Sequence, residues 1–96
     1  MRVFDPNELE KRIDEVLYYV WDPIGVSDSP YARGEYSSYV PGILQLVRAN
    51  SLAEKISYHL SDIVRKQMGL TPNEARERRV ADLILQHKDA LDKGLA

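Results

Sequence analysis

The sequence predicts an all-α fold: an antiparallel four-helix bundle in a single domain over residues 1–96. Three observations carry that prediction. Asp5-x-x-Glu8, Ser51-x-x-Glu54 and Thr71-x-x-Glu74 each have the spacing of a helix-opening capping box. Apolar residues recur at intervals of three and four along the segments that follow. No segment alternates apolar and polar residues between strand-like flanks. Helices are expected over about 6–20, 30–49, 52–68 and 72–92.

The first helix has the fullest set of signals. Asp5 is a good N-cap, Pro6 suits the first helical position, and Phe4 and Leu9 stand where a hydrophobic staple forms. Leu9, Ile13, Val16, Leu17 and Val20 then share one helical face. Pro23 ends the helix, because it lacks an N–H and disfavours helical geometry at Asp22. Residues 22–30 form a loop, and Ser29-Pro30 opens a second helix. Pro41-Gly42 interrupts that helix, so it is kinked or broken near Pro41 before Ile43, Leu44, Leu46 and Val47 resume an apolar face.

Asn50-Ser51 makes the next turn. Leu52, Ile56, Leu60, Ile63 and Val64 form the inward stripe of the third helix, and Gly69 is placed to end it. Thr71-Pro72 opens the fourth helix, whose face runs through Ala75, Val80, Leu83, Ile84, His87 and Leu91. Lys93-Gly94 closes it.

Composition narrows the function classes. Apolar residues at 44% and charged residues at 29% fit a globular chain rather than a disordered one. With no cysteine there are no disulfides, thiolate metal sites, iron–sulfur clusters or cysteine nucleophile. The longest apolar run, Val16-Leu17-Tyr18-Tyr19-Val20-Trp21, is far short of the roughly 20 residues of a membrane span. The start, Met1-Arg2-Val3-Phe4, lacks a signal-peptide layout, so the expectation is a cytoplasmic protein with no membrane contact. Net charge is −2, but residues 1–47 hold eight acids against four bases, −4, and residues 48–96 hold seven acids against nine bases, +2. Such asymmetry can steer a partner, although solvated helix faces produce it equally.

Catalysis and metal binding find little to build on. No glycine-rich phosphate loop, dinucleotide fingerprint or nucleophile elbow is present. The carboxylates Asp22, Asp28 and Glu35 specify no reaction, so no catalytic residue and no cofactor is assigned. A di-iron bundle needs Glu-x-x-His, whereas Ile56 and Ile84 stand three residues before His59 and His87, so no metal site is assigned. His59 has Asp62 within helical reach, and His87 falls on an apolar face as a core or rim histidine.

The candidate surface lies around the first loop. Trp21 ends an apolar stripe and should be buried with its indole N–H near a partner. Asp22 can cap the loop through an Asx turn, and Gly25 suits a positive φ. A rigid connection between helices would use the same residues. Six tyrosines beside one phenylalanine, with Tyr36 and Tyr39 on one face and Glu35 adjacent, suit an interface or the rim of a small core. Trp21-Asp22-Pro23-Ile24-Gly25-Val26, followed by Arg33-Gly34-Glu35-Tyr36-Ser37-Ser38-Tyr39-Val40-Pro41, resembles a group of small all-α bacterial proteins of unknown function marked by a Trp-Asp-Pro-(Ile/Phe) loop. The resemblance spans about residues 9–47 and implies a small helical bundle without known catalytic residues. Some orphan proteins of this kind are immunity partners of secreted toxins. Gly34 departs from the pattern, standing where related sequences carry a charged helix former.

The expected function is therefore a protein–protein interaction module presenting Trp21, Asp22, Tyr31, Glu35, Tyr36 and Tyr39 to another protein. One form is an immunity-type inhibitor whose acidic N-terminal half covers a basic nuclease. A homodimer is compatible with the tyrosine face. The alternative is a nucleic-acid-binding module using the basic fourth helix, with Arg65, Lys66, Arg76, Arg78 and Arg79. Arg65 and Arg78 stand where a helix-turn-helix needs small and apolar residues, and Glu74, Glu77 and Asp82 would repel phosphates.

Overall fold

The computed structural model describes residues 8–25 and 34–94. The Asp5 cap, the Phe4 staple, the Ser29-Pro30 helix start and Tyr31 lie outside the described residues. Helix α1 spans Glu8–Val16 and continues as a π-helical turn, Leu17–Trp21. A 3-10 turn, Ser37–Tyr39, leads into α2, Val40–Arg48. Helix α3 spans Ala53–Asp62 and also ends in a π-helical turn, Ile63–Gln67. Helix α4 spans Glu74–Asp92. All regular elements among the described residues are helical.

The helices close a ring. Helix α1 packs on α2, α2 on α3, α3 on α4, and α4 back on α1. Opposed pairings give the directions. Arg12 meets His87, and Tyr19 and Val20 share a groove with the earlier Leu83, so α1 and α4 run antiparallel. Asn50 and Ser51, just before α3, lie beside Lys88 and Asp92 at the end of α4, so those two helices are also antiparallel. The core inside the ring includes Ile13, Leu17, Trp21, Tyr36, Ile43, Val47, Ile56, Leu60, Val64, Val80 and Ile84. Burying each large apolar side chain contributes about 1.5–3 kcal/mol, which makes this seam the chief source of stability.

Several local expectations need correction. The second helix was expected over 30–49, but residues 34–36 are a turn and regular α-helix starts at Val40. The break falls just before Pro41, which sits in the first turn of α2. A proline deeper in a helix would clash with the carbonyl four residues back, whereas the first turn needs no donor from it. Gly42, next to it, lets α2 approach α3: a Cβ there would lie 3.2 Å from His59 Nε2.

The Ser51–Glu54 capping box does not form. Leu52 occupies the cap position and makes no side-chain bond, so the start of α3 rests on backbone contacts to the Leu52 carbonyl. At α4 the cap is Asn73, two residues later than Thr71. Asn73 Oδ1 accepts from Arg76 N at 3.0 Å, and Glu77 Oε1 accepts from Asn73 N at 2.9 Å. Asparagine caps a helix better than threonine, and the long Glu77 side chain can reach back to close the box.

The apolar stripes also change phase. Val20, assigned inward, is exposed, while Tyr18 is buried and Trp21 is buried as expected. The π-helical turn accounts for Val20: Asp22 N donates to Leu17 O, five residues back, which rotates the chain and turns Val20 away from the core. Leu52 is also exposed, because it precedes α3 instead of belonging to it. No helix of the described residues is long and apolar enough to cross a membrane.

Candidate functional site

At the end of α1 the chain turns sharply. Asp22 adopts φ +32 and ψ +58, left-handed geometry that costs a non-glycine residue about 1–2 kcal/mol. Its side chain and one tyrosine hold the turn. Tyr36 Oη donates to Asp22 Oδ1 at 2.7 Å, and the Gly25 N–H donates to the same oxygen at 3.1 Å. The Ile24 N–H donates to Tyr36 Oη at 3.1 Å. Gly25, at φ +81, completes the bend as expected. Burial, followed by the hydrogen bond to Asp22, pushes the Tyr36 phenol well above its ordinary pKa, so it remains a neutral donor.

The rings pack behind this turn. Trp21 lies 5.5 Å from Tyr36 between centroids and meets Tyr39 edge-on at 6.2 Å. Such pairs add about 0.5–1.5 kcal/mol beyond area burial. The expected partner for the indole is not found among the described residues: Trp21 Nε1 is buried with no hydrogen-bond partner there.

Four of the residues singled out for partner contact, Trp21, Asp22, Tyr36 and Tyr39, thus come together, but largely as an internal knot. Trp21 is 1% exposed and Tyr36 0%, so neither offers side-chain surface to a partner. Asp22 and Tyr39 are half-buried, Glu35 is exposed apart from the knot's hydrogen bonds, and Tyr31 lies outside the described residues.

The knot pushes other residues outward. Tyr19 is 64% exposed, Val20 40% and Ile24 44%. Tyr19 and Val20 form one wall of a groove of about 220 Å³ between α1 and α4, with Arg12, Glu15, Val16, Leu83 and His87. Sequence reading missed this groove. The clue was the pair Tyr18-Tyr19: adjacent helical residues differ by about 100°, so both cannot enter one core.

Arg12 spans the two helices of the groove. Its Nε donates to Glu8 Oε1 at 3.0 Å, and its Nη1 contacts His87 Nδ1 at 3.3 Å. His87 is therefore a half-buried rim histidine with a partner. His59 packs against Gly42, and Asp62, which was paired with it on spacing alone, instead takes Arg65 at 3.3 Å and Lys66 at 4.0 Å. Among the described residues no group of three or more His, Asp or Glu side chains could hold a metal ion.

Four residues of the basic cluster near α4 pair with carboxylates close by in the chain. Arg65 and Lys66 pair with Asp62, Arg76 with the buried Glu77 at 2.7 Å, and Arg78 with Asp82 at 3.3 Å. Each such contact lowers the charge available to a phosphate backbone. Glu77, placed on a phosphate-facing surface by its position in sequence, is fully buried and accepts from the N–H of the Asn73 cap of α4. No known protein family, curated protein or solved structure matches this chain.

Proposed function

We propose that this protein is a protein–protein interaction module that seats an apolar side chain of a basic partner protein against the end of α1. The exposure of Tyr19, Val20 and Ile24, three large apolar residues within six positions, carries this reading. They surround a buried aromatic knot, so they stand on a fixed support and little entropy is lost on binding. Tyrosine at the rim of a small groove is a favourable anchor in interfaces. The groove, at about 220 Å³, is smaller than the roughly 300 Å³ from which small-molecule pockets begin, and it suits one side chain.

Charge supports the choice of a basic partner. Residues 1–47 carry −4, and Glu10, Glu15 and Glu35 are exposed. Acidic complementarity of this kind accelerates encounter more than it deepens affinity. An immunity-type inhibitor that covers a basic nuclease in the cytoplasm is the specific form that fits. The resemblance of the Trp21–Val26 segment to small helical bacterial proteins is consistent with it.

Affinity capture of a basic protein with the full chain, compared with Tyr19→Ala and Glu15→Lys, tests the reading. Tyr19→Ala should lose the partner at unchanged melting temperature, and Glu15→Lys should slow its association. Capture that is indifferent to Tyr19→Ala overturns the proposed surface.

A further inference from the structure

We infer that Arg12 and His87 form a latch between α1 and α4 that is closed only while the His87 imidazole is neutral. The Arg12 guanidinium carries five N–H donors and no acceptor. A hydrogen bond from Arg12 Nη1 to His87 Nδ1 at 3.3 Å therefore requires a lone pair on Nδ1. The proton of the neutral ring then sits on Nε2. Once a second proton binds Nδ1, an N–H faces an N–H and two cations meet across the seam.

The guanidinium is aimed by its other edge. Glu8 Oε1 accepts from Arg12 Nε at 3.0 Å, one helical turn away, which fixes the plane of the fork. Arg12 and Glu8 are only 22% and 32% exposed, so solvent screens the contact less than at an open surface. From α1 the titratable or charged groups at this groove are Glu8, Arg12 and Glu15, with the Tyr19 phenol beyond them. On α4 the neighbouring Lys88 is occupied with Asp92 at 2.7 Å. Helix α3 supplies none of the described groove residues. Among the described residues lining the groove, protonated His87 meets the Arg12 cation, with the carboxylates Glu8 and Glu15 to draw the two groups apart.

A proton on Nδ1 removes the only acceptor in this contact, so protonation of the ring opens the latch. Opening frees the α1–α4 seam at the groove that bears Tyr19 and Val20. Its effect on a bound partner rests on the proposed function; the latch itself does not.

Amide hydrogen exchange on the full chain, without any partner, tests it. Protection factors for residues 12–20 and 83–87 are measured from about pH 8 to about pH 5 and normalised to intrinsic exchange. Protection should fall about tenfold with acid at these amides, as expected for loss of one charge-assisted hydrogen bond. His87→Asn keeps an acceptor near the Nδ1 position without a titrating proton, and should remain protected at every pH. Arg12→Met should show the low, acid-like protection throughout. Constant protection in the wild type, or an acid-dependent fall that persists in His87→Asn, overturns the latch.

Discussion

Helices α1 and α3 both end in a π-helical turn, and the two ends are secured in different ways. At the end of α3, Met68 N donates to Ile63 O and Leu70 N to Val64 O, with Gly69 at φ +66 between them. Backbone and a glycine suffice, because glycine enters left-handed geometry at no steric cost. At the end of α1 the left-handed residue is Asp22. That end needs the Asp22 carboxylate, the Tyr36 phenol and the ring of Trp21 to hold it. The first solution is local and exposed. The second borrows a residue 14 positions away, and in doing so ties the loop to the core. A strained turn held by distant side chains gives a rigid edge, and on that edge stand Tyr19, Val20 and Ile24.

The contrast is broken most forcefully at Trp21. Trp21→Ala removes the ring against which Tyr36 and Tyr39 pack, and should cost about 3–5 kcal/mol in urea unfolding. A loss under about 1 kcal/mol would mean that the α1 end does not depend on its aromatic support.

Tyr36→Phe isolates the polar half of the knot. It leaves the Ile24 N–H and Asp22 Oδ1 without the phenol, at an expected cost of about 1–3 kcal/mol. Titration gives a second reading of the same bond. The folded-state pKa of Tyr36 is raised, so its contribution is complete below the unfolded value of 10.0 and is lost as pH rises beyond it, when the unfolded chain ionises first. Wild-type stability should therefore decline above about pH 10, and Tyr36→Phe should flatten that decline.

The smallest effect belongs to the α3 end. Gly69→Ala meets no atom within 4 Å, so it reports backbone strain alone, about 1–2 kcal/mol by thermal melting. Because the strain is local, the change should add to Tyr36→Phe without coupling. Coupling between the two would show that the ends are secured by shared contacts.

Much of this architecture was legible in the residues. Helical class, the turn at Asn50, the glycine endings at Gly69 and Gly94 and the inward positions Ile13, Ile43, Ile56, Leu60 and Ile84 follow from periodicity and turn chemistry. So did the Asx role of Asp22 and the burial of Trp21. The side of the surface was not legible. Sequence periodicity assumes a constant turn, and at the π-helical turn Val20, read as inward, faces outward beside the buried Trp21. The caps shifted for a similar reason: Ser51 and Thr71 had the right spacing, yet backbone contacts at Leu52 and the reach of Glu77 back to Asn73 decided where α3 and α4 begin.

By itself, then, the sequence determined that the chain forms helices, where glycine and proline stop them, and that cysteine chemistry is absent. Those outcomes depend on neighbours a few residues apart. The tertiary structure decided which aromatic residues support the fold and which face outward. It also decided that Arg12 meets His87 and that Arg76 and Arg78 meet the carboxylates of Glu77 and Asp82 on their own helix. Contacts such as Arg12 to His87 join residues 75 positions apart, and only the packing of helix on helix brings them within reach.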